Sequence, residues 1–193
     1  MKYYNKNDAQ HLINTPQWFY KVSIDWTGSH YCGFMWKWSY PAGFVDLTMP
    51  NYIRNVLNCF QQESTQPTFT PFPIMYSLKQ TQYQTAIQND TSPLLNSTKT
   101  KKIQQVIGCL WCYAQSLDNT LLVALNTLSQ TQAKPTTKTK QLCSHLLNYF
   151  ATYPNVGLHY QVSAMILHID SDASYPIAPE AKIRIAGYFY LKN

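Results

Sequence analysis

The sequence predicts an α+β fold, because strand-like segments stand at both ends of the chain and helical segments stand between them. Within residues 1–49, aromatic and aliphatic side chains alternate with polar ones between turn residues, a pattern typical of an antiparallel meander. Residues 96–155 carry apolar side chains at the i, i+3, i+4 spacing of amphipathic helices. Residues 156–193 return to short apolar runs that favour strands.

Length and composition are those of a globular protein. The chain has 193 residues, of which 45% are hydrophobic and 12% charged, which argues against disorder and allows a sizeable core. No apolar run approaches the roughly 20 residues of a membrane span, and the first residues are too polar for a signal peptide. We therefore expect no membrane partner. The five cysteines are an odd number, which with the polar N-terminus favours reduced thiols and a cytoplasmic or nuclear location.

The N-terminal half is predicted to contain two helices around a three-stranded meander. Pro16 ends the first helix and Pro50 opens the second, because proline disrupts a helix interior but fits its first turn. A stretch rich in Pro and Gln, residues 63–95, is predicted to be an extended surface connector. The predicted elements are a helix over 8–15 with Asp8 as N-cap, strands over 18–25, 30–40 and 44–49, and a helix over 50–62.

The C-terminal half is predicted to contain three helices followed by three strands. Asp118 caps the second of these helices, and Pro135-Thr136 opens the third. Amphipathic helices joined by short links favour an all-helical subdomain. The predicted helices cover 101–115, 119–132 and 135 to about 153, and the predicted strands cover 157–161, 164–169 and 183–191.

Two carboxylates, Asp170 and Asp172, end the second of these strands. Residues i and i+2 of a strand point to the same face, so the two acids repel each other unless a metal ion or a basic group lies between them. The alternative is a solvated turn, because Asp-Ser-Asp is also ordinary turn chemistry.

Two further groups have both a structural and a functional interpretation. Cys109 and Cys112 have the C-x-x-C spacing of metal and redox sites, but no second pair follows and packed thiols are expected. Four aromatic residues of the meander offer stacking faces to a nucleic acid, although core packing is the expected role. They are Trp26, Tyr31, Trp36 and Trp38.

The central and C-terminal segments carry a series of short motifs. In chain order they are IQQVIGCLWCYA at 103–114, DNTLLVA at 118–124, PT at 135–136, LLNYF at 146–150, VGLHY at 156–160, SDASY at 171–175 and IAGYFYL at 185–191. Their order and spacing resemble the reverse transcriptase and RNase H region of copia-type retrotransposon Pol polyproteins. Residues 25–53 are similar to the palm strands and hairpin before the thumb of that family, so the resemblance covers nearly the whole chain.

The resemblance implies a division of the chain and a role for the acidic pair. Asp172 would be the first RNase H carboxylate, which binds catalytic Mg²⁺, and Asp170 would be an extra acid beside it. Ser174 stands where the family has a second acid in that motif. The implied segments are the C-terminal part of a polymerase palm (1–49), a thumb-like helix and connector (50–95), a helical tether (96–155) and the first strands of a truncated RNase H-like domain (156–193).

Most of the carboxylates that the family's two activities need are missing from this sequence. The polymerase takes its metal ligands from a Tyr/Phe-x-Asp-Asp hairpin, and no Asp-Asp pair occurs here. RNase H chemistry needs further acids, and only Glu180 follows Asp172. We therefore expect Asp170, Asp172 and Glu180 to hold at most one weakly bound Mg²⁺, and only if the site is completed. We expect no catalysis by this chain alone.

Two functions from different classes follow. The net charge of +6 with only 9 acidic residues favours anionic partners, so the first function is weak binding to the phosphates of an RNA–DNA hybrid or DNA duplex. The alternative is a protein-interaction or scaffold module that docks through the helical tether, with the remaining polymerase segment in trans as one partner. The lysines expected to meet phosphates are Lys99, Lys101, Lys102, Lys134, Lys138 and Lys140.

Overall fold

A computed structural model of the chain describes residues 4–62, 66–73, 90–173 and 185–193. It contains five helices and two antiparallel sheets, of four and two strands, which confirms the predicted α+β class. The helices are α1 (Lys6–Gln17), α2 (Tyr52–Cys59), α3 (Ser97–Ser116), α4 (Leu122–Thr131) and α5 (Thr137–Thr152). The strands are β1 (His30–Tyr31), β2 (Phe34–Ser39), β3 (Phe44–Thr48), β4 (Gly157–Gln161), β5 (Ile166–Ala173) and β6 (Ile185–Lys192).

The larger sheet has the order β1-β2-β3-β4 with antiparallel neighbours. The single strand predicted over 30–40 is a hairpin in the structure. Its turn is made by Cys32 (φ 49°) and Gly33 (φ 85°), and two successive residues with positive φ give the twist that a tight hairpin needs. Glycine accepts this conformation easily and cysteine rarely does, so the sequence shows only half of the turn.

Two predictions in the first 25 residues were wrong. Residues 18–25 form no strand, and their aromatic side chains Trp18, Phe19 and Tyr20 are exposed, because alternation alone does not supply a neighbouring strand. Helix α1 is capped by the side chain of Asn5 instead of Asp8, and it continues past Pro16. Pro16 lies in the last turn of the helix, where its missing N–H removes one intrahelical hydrogen bond.

The sequence had suggested that the three C-terminal strands form one set, but in the structure they are divided between two sheets. Strand β4 pairs with β3 in the larger sheet, where Leu158 lies opposite Leu47, whereas β5 and β6 form a separate hairpin. Gly157 permits the close approach, since a Cβ atom there would lie 2.9 Å from Cγ2 of Thr48. Leu158 also packs against the core, so burial of an apolar side chain supports this pairing.

One hydrophobic core joins the larger sheet to helices α2–α5. The predicted helical stripes are its centre, with Ile53, Leu110, Leu125 and Leu146 completely buried. The ring of Tyr113 stacks on that of Tyr52 at 5.6 Å, and burial raises the pKa of both hydroxyls. These contacts tie the larger sheet and helices α2–α5 into one packed unit.

The cysteines carry free thiols, as expected. Cys143 is buried against the core, and this burial raises its pKa to about 11, whereas the other four, including Cys109 and Cys112, are exposed. Cys109 and Cys112 lie on the outer side of α3 and are therefore exposed. Their exposure contradicts the prediction that both are core thiols. Among the described residues, no helix has the length and apolar character needed to cross a membrane.

The β5–β6 hairpin is amphipathic. Its register places Leu167 opposite Leu191 and Ile169 opposite Phe189 on one face, while the acidic pair lies on the other. The apolar face is open, and its four side chains are exposed to between 49% and 65%. A two-stranded hairpin with an uncovered apolar face is marginally stable by itself.

Candidate nucleic-acid interface

The starts of α3 and α5 lie at the same end of the helical bundle. The segment before α3 runs alongside the segment before α5, and Leu94 forms an isolated bridge with Thr136. The amide of Leu95 donates to the carbonyl of Pro135 and the amide of Thr137 donates to that of Pro93, both at 2.9 Å. Two helix N-termini, 40 residues apart in sequence, are therefore held side by side.

Side-chain caps define both helix starts. Asn96 accepts a hydrogen bond from the amide of Lys99 at 3.0 Å. Thr136 forms a reciprocal capping box with Thr139, and its hydroxyl also donates to the carboxylate of Asp90. Since these caps leave other first-turn amides of each helix without an intrahelical acceptor, the positive ends of two helix dipoles face the same region.

The six lysines named from the sequence all belong to this end of the bundle. Three occupy the first two turns of α3, one lies in the turn between α4 and α5, and two occupy the first turn of α5. All are exposed except Lys138, which is half-buried. The structure thus gathers two separate sequence clusters into one basic end, defined by Lys99, Lys101, Lys102, Lys134, Lys138 and Lys140.

One of the six lysines also has a structural role. The ammonium group of Lys102 donates to the carbonyl of Phe60 at 3.0 Å, near the end of α2. Beside it, a cavity of about 540 Å³ is lined by Lys101, by the first-turn residues Ser97 and Thr98 of α3, and by residues that end α2. Lys101 is therefore the more available of the two cations for a ligand.

Within residues 4–62, 66–73, 90–173 and 185–193, negative charge is nearly absent from the basic end. Between Asp90 and Asp170 the sequence contains one acid, Asp118. It is 7% exposed and caps the turn before α4, about 30 Å along α3 from the basic end. Asp90 does lie at the basic end, where hydrogen bonds from Ser92 and Thr136 hold its pKa below the ordinary value. Of the acids that the structure describes, only Asp90 lies at the end of the bundle that carries the six lysines, so a polyanion would meet a net positive surface there.

The acidic pair lies elsewhere, on the polar face of the β5–β6 hairpin. Asp170 is opposite Tyr188 and Asp172 is opposite Ala186, and both carboxylates are exposed. They share one face of β5, as the i, i+2 spacing predicted. The negative charge of Asp170 raises the pKa of Tyr190 on the same face.

Asp170 and Asp172 are suitable but incomplete ligands for Mg²⁺. Magnesium is bound by one or two carboxylates with water completing an octahedron, so two acids on one strand face fit a weak site. No group of three His, Cys, Asp or Glu side chains that could hold a metal occurs among the described residues. Ser174 and Glu180 lie outside those residues.

Sequence reasoning missed a polar pair on the open face of the larger sheet. The Nδ1 atom of His159 lies 2.5 Å from a carboxylate oxygen of Asp46, and its ring lies 4.8 Å from that of Phe44. The two partners are 113 residues apart. No local motif signals such a contact, which depends on the β3–β4 pairing.

Comparison of the chain with protein-family models, curated proteins and solved structures found no match.

Proposed function

We propose that this chain binds nucleic-acid duplexes, an RNA–DNA hybrid or duplex DNA, through the basic end of its helical bundle, and that it is a remnant of a copia-type reverse transcriptase and RNase H. The observation that carries the binding proposal is the pairing of residues 93–95 with 135–137, which sets two lysine-bearing helix starts side by side. The ancestry rests on the resemblance of the ordered motifs.

The chemistry of the basic end suits phosphate and provides little sequence discrimination. Lysine is a flexible point charge, and helix N-termini add N–H donors that fit phosphate oxygens. Contacts of this kind neutralise backbone charge and release counterions, so affinity falls steeply with salt. Weak, salt-sensitive binding to many sequences is therefore the expected behaviour.

The proposed ancestral activities are RNA-directed DNA synthesis and hydrolysis of RNA in hybrids, and we propose that this chain alone performs neither. Both reactions use two divalent ions held by several carboxylates. Asp170 and Asp172 would hold one Mg²⁺ ion, which would supply Lewis-acid chemistry if further ligands completed the site. An RNase H assay that compares the chain with Asp172→Asn tests this directly, because hydrolysis lost in the variant would contradict our proposal.

A salt titration of hybrid binding tests the basic end. Fluorescence anisotropy of a labelled hybrid would be measured between about 50 and 200 mM salt for the chain and for a variant with Lys99→Gln, Lys101→Gln and Lys140→Gln. Removing three phosphate contacts is expected to lower the slope of log K against log salt by about 2.7 and to weaken binding at least tenfold at low salt.

A second triple variant provides the control. Lys21→Gln, Lys37→Gln and Lys192→Gln remove the same formal charge from positions outside the bundle. This variant should retain most of the slope. Equal losses in the two variants would show that only net charge matters, and no binding at low salt would refute the proposal.

A protein-interaction role is the second candidate, and the observation that favours it is the open apolar face of the β5–β6 hairpin. Exposed apolar patches mark protein contacts more often than the polar outer faces of the bundle do. The docking surface would then be the hairpin instead of the helical tether. Gel filtration with light scattering tests this candidate, since a clean monomer that binds no hydrophobic dye would argue against it.

A further inference from the structure

Three aromatic side chains form a continuous stack along β2 and into the turn that follows it. Trp36 and Trp38 are two positions apart on β2, so they project from the same side of the strand, and Tyr40 in the turn after β2 stacks on Trp38. The Trp36 and Trp38 rings are 5.8 Å apart with an interplanar angle of 11°, and the Trp38 and Tyr40 rings are 5.9 Å apart at 6°. The three rings are thus nearly parallel.

The stack runs from the core to solvent. Trp36 packs against the core beside Leu47, whereas Trp38 is 45% and Tyr40 82% exposed. The indole N–H of Trp38 donates to the carbonyl of Gly28 at 2.9 Å, which fixes the orientation of its ring. The prediction of core packing therefore holds for Trp36, which is half-buried against the core, and fails for Trp26, Trp38 and Tyr31, which are 37%, 45% and 70% exposed.

Exposed aromatic surface continues across the sheet beside the stack. Val45 lies opposite Trp38, and Tyr160, which lies opposite Val45, is 50% exposed. Three strands, β2, β3 and β4, therefore present exposed apolar and aromatic side chains next to the open end of the stack. Folded proteins rarely leave rigid, parallel aromatic rings exposed without a ligand, because such rings are a large apolar surface.

The net charge of the chain, +6, favours a ligand that carries negative charge as well as rings. The loop that accepts the Trp38 hydrogen bond also contains Trp26, and the ammonium group of Lys6 lies 5.1 Å from the centre of that ring. Asp25 of the same loop is negative and offsets the charge of Lys6, and hydrogen bonds from Thr27, Ser29 and His30 hold its oxygens. The choice of an anionic ligand therefore rests on the net charge of the whole chain, which an apolar peptide would leave unmatched.

We infer that Trp38 and Tyr40 form a stacking platform for unpaired nucleobases, so that the chain binds single-stranded nucleic acid at the larger sheet. The inference rests on the proposed function, because it takes the partner to be a nucleic acid, but it uses a different surface. Stacking on a preordered ring is tolerant of sequence, since every base has a flat face. A base placed on the exposed ring of Tyr40 would extend the existing stack by one ring.

Three variants at exposed tyrosines test the platform. A single-stranded oligothymidine and a blunt duplex would each be titrated into the chain, with tryptophan fluorescence and anisotropy as readouts. Tyr40→Ala should weaken single-strand binding by about 5- to 100-fold, the range expected for loss of one stacked base. Tyr40→Phe keeps the ring and should bind normally, as should Tyr20→Ala, which removes an exposed ring outside the stack.

The outcomes separate the platform from the basic end. Duplex binding should be unchanged by Tyr40→Ala. The triple variant at Lys99, Lys101 and Lys140 should weaken duplex binding and keep the Tyr40-dependent fluorescence change. If the duplex does not bind but the oligothymidine does and requires Tyr40, the proposed function fails and the platform stands. The platform is refuted if the oligothymidine does not bind, if Tyr40→Ala has no effect, or if Tyr40→Phe is as damaging as Tyr40→Ala.

Discussion

A single carboxylate, that of Asp25, organises the loop that leads into β1. It accepts hydrogen bonds from the amides of Thr27 at 2.9 Å, Ser29 at 2.7 Å and His30 at 2.8 Å. The side-chain hydroxyls of Thr27 and Ser29 also donate to it. These bonds, the Thr27 side-chain bond foremost, hold the pKa of Asp25 far below its ordinary value of 3.8. The ionised carboxylate is therefore the form that stabilises the loop.

Replacement of Asp25 by Asn should lower the thermal midpoint at neutral pH, because an amide offers fewer acceptors to the same donors. A depressed folded-state pKa gives stability that is complete above about pH 4 and is lost as the pH falls. The midpoint difference between the two proteins should therefore shrink below about pH 4. Asp172→Asn, at an exposed acid on β5, is the control, and a difference that stays constant down to pH 2 would contradict this prediction.

At the scale of elements, the start of α5 depends on Thr136, which is 8% exposed and joins the capping box to Asp90. Thr136→Val keeps the shape and removes the hydroxyl. We expect a loss of about 1–2 kcal/mol in the free energy of unfolding, measured by urea denaturation. Thr136→Ser retains the hydroxyl and should lose much less. No loss in Thr136→Val, or a larger loss in Thr136→Ser than in Thr136→Val, would contradict the role of the cap.

Helices were predictable here because each carries its own signals. Asp118 and Thr136 are residue types that cap helix starts, and the apolar stripes indicate which face of each helix is buried. The helices therefore begin and end close to the predicted residues. Strands were less predictable because they need partners that alternation does not identify. Residues 18–25 alternate and have none, whereas β4 finds its partner at β3. The six lysines could be listed from the sequence, but their convergence at one end of the bundle depends on the bridge between Leu94 and Thr136.

At the scale of the whole molecule, the packed core and the β5–β6 hairpin differ in how they respond to truncation of a side chain. Leu125→Ala removes a fully buried side chain and should cost about 2–5 kcal/mol in the free energy of unfolding. Phe189→Ala removes one that is 65% exposed and should change that free energy by about 0.5 kcal/mol or less. Chemical denaturation of both variants measures the contrast.

The same two variants should differ in the fluorescence of a hydrophobic dye added to the native protein. Phe189→Ala should reduce dye fluorescence of the native protein, because it removes part of the open apolar face of the hairpin. Leu125→Ala should leave that signal equal or higher. A large loss of stability in Phe189→Ala would mean that the apolar face of the hairpin is covered in solution.

The pairing of β4 with β3 also bears on how the molecule is made. Contacts such as that between Asp46 and His159 join residues 113 positions apart, and the whole helical bundle lies between them. High contact order of this kind slows folding, because a long loop must close before the contact stabilises anything. During synthesis on a ribosome, the edge of β3 that pairs with β4 would stay unpaired until the helical bundle and β4 have been made. Synthesis rate and chaperone supply should therefore affect the yield of this protein.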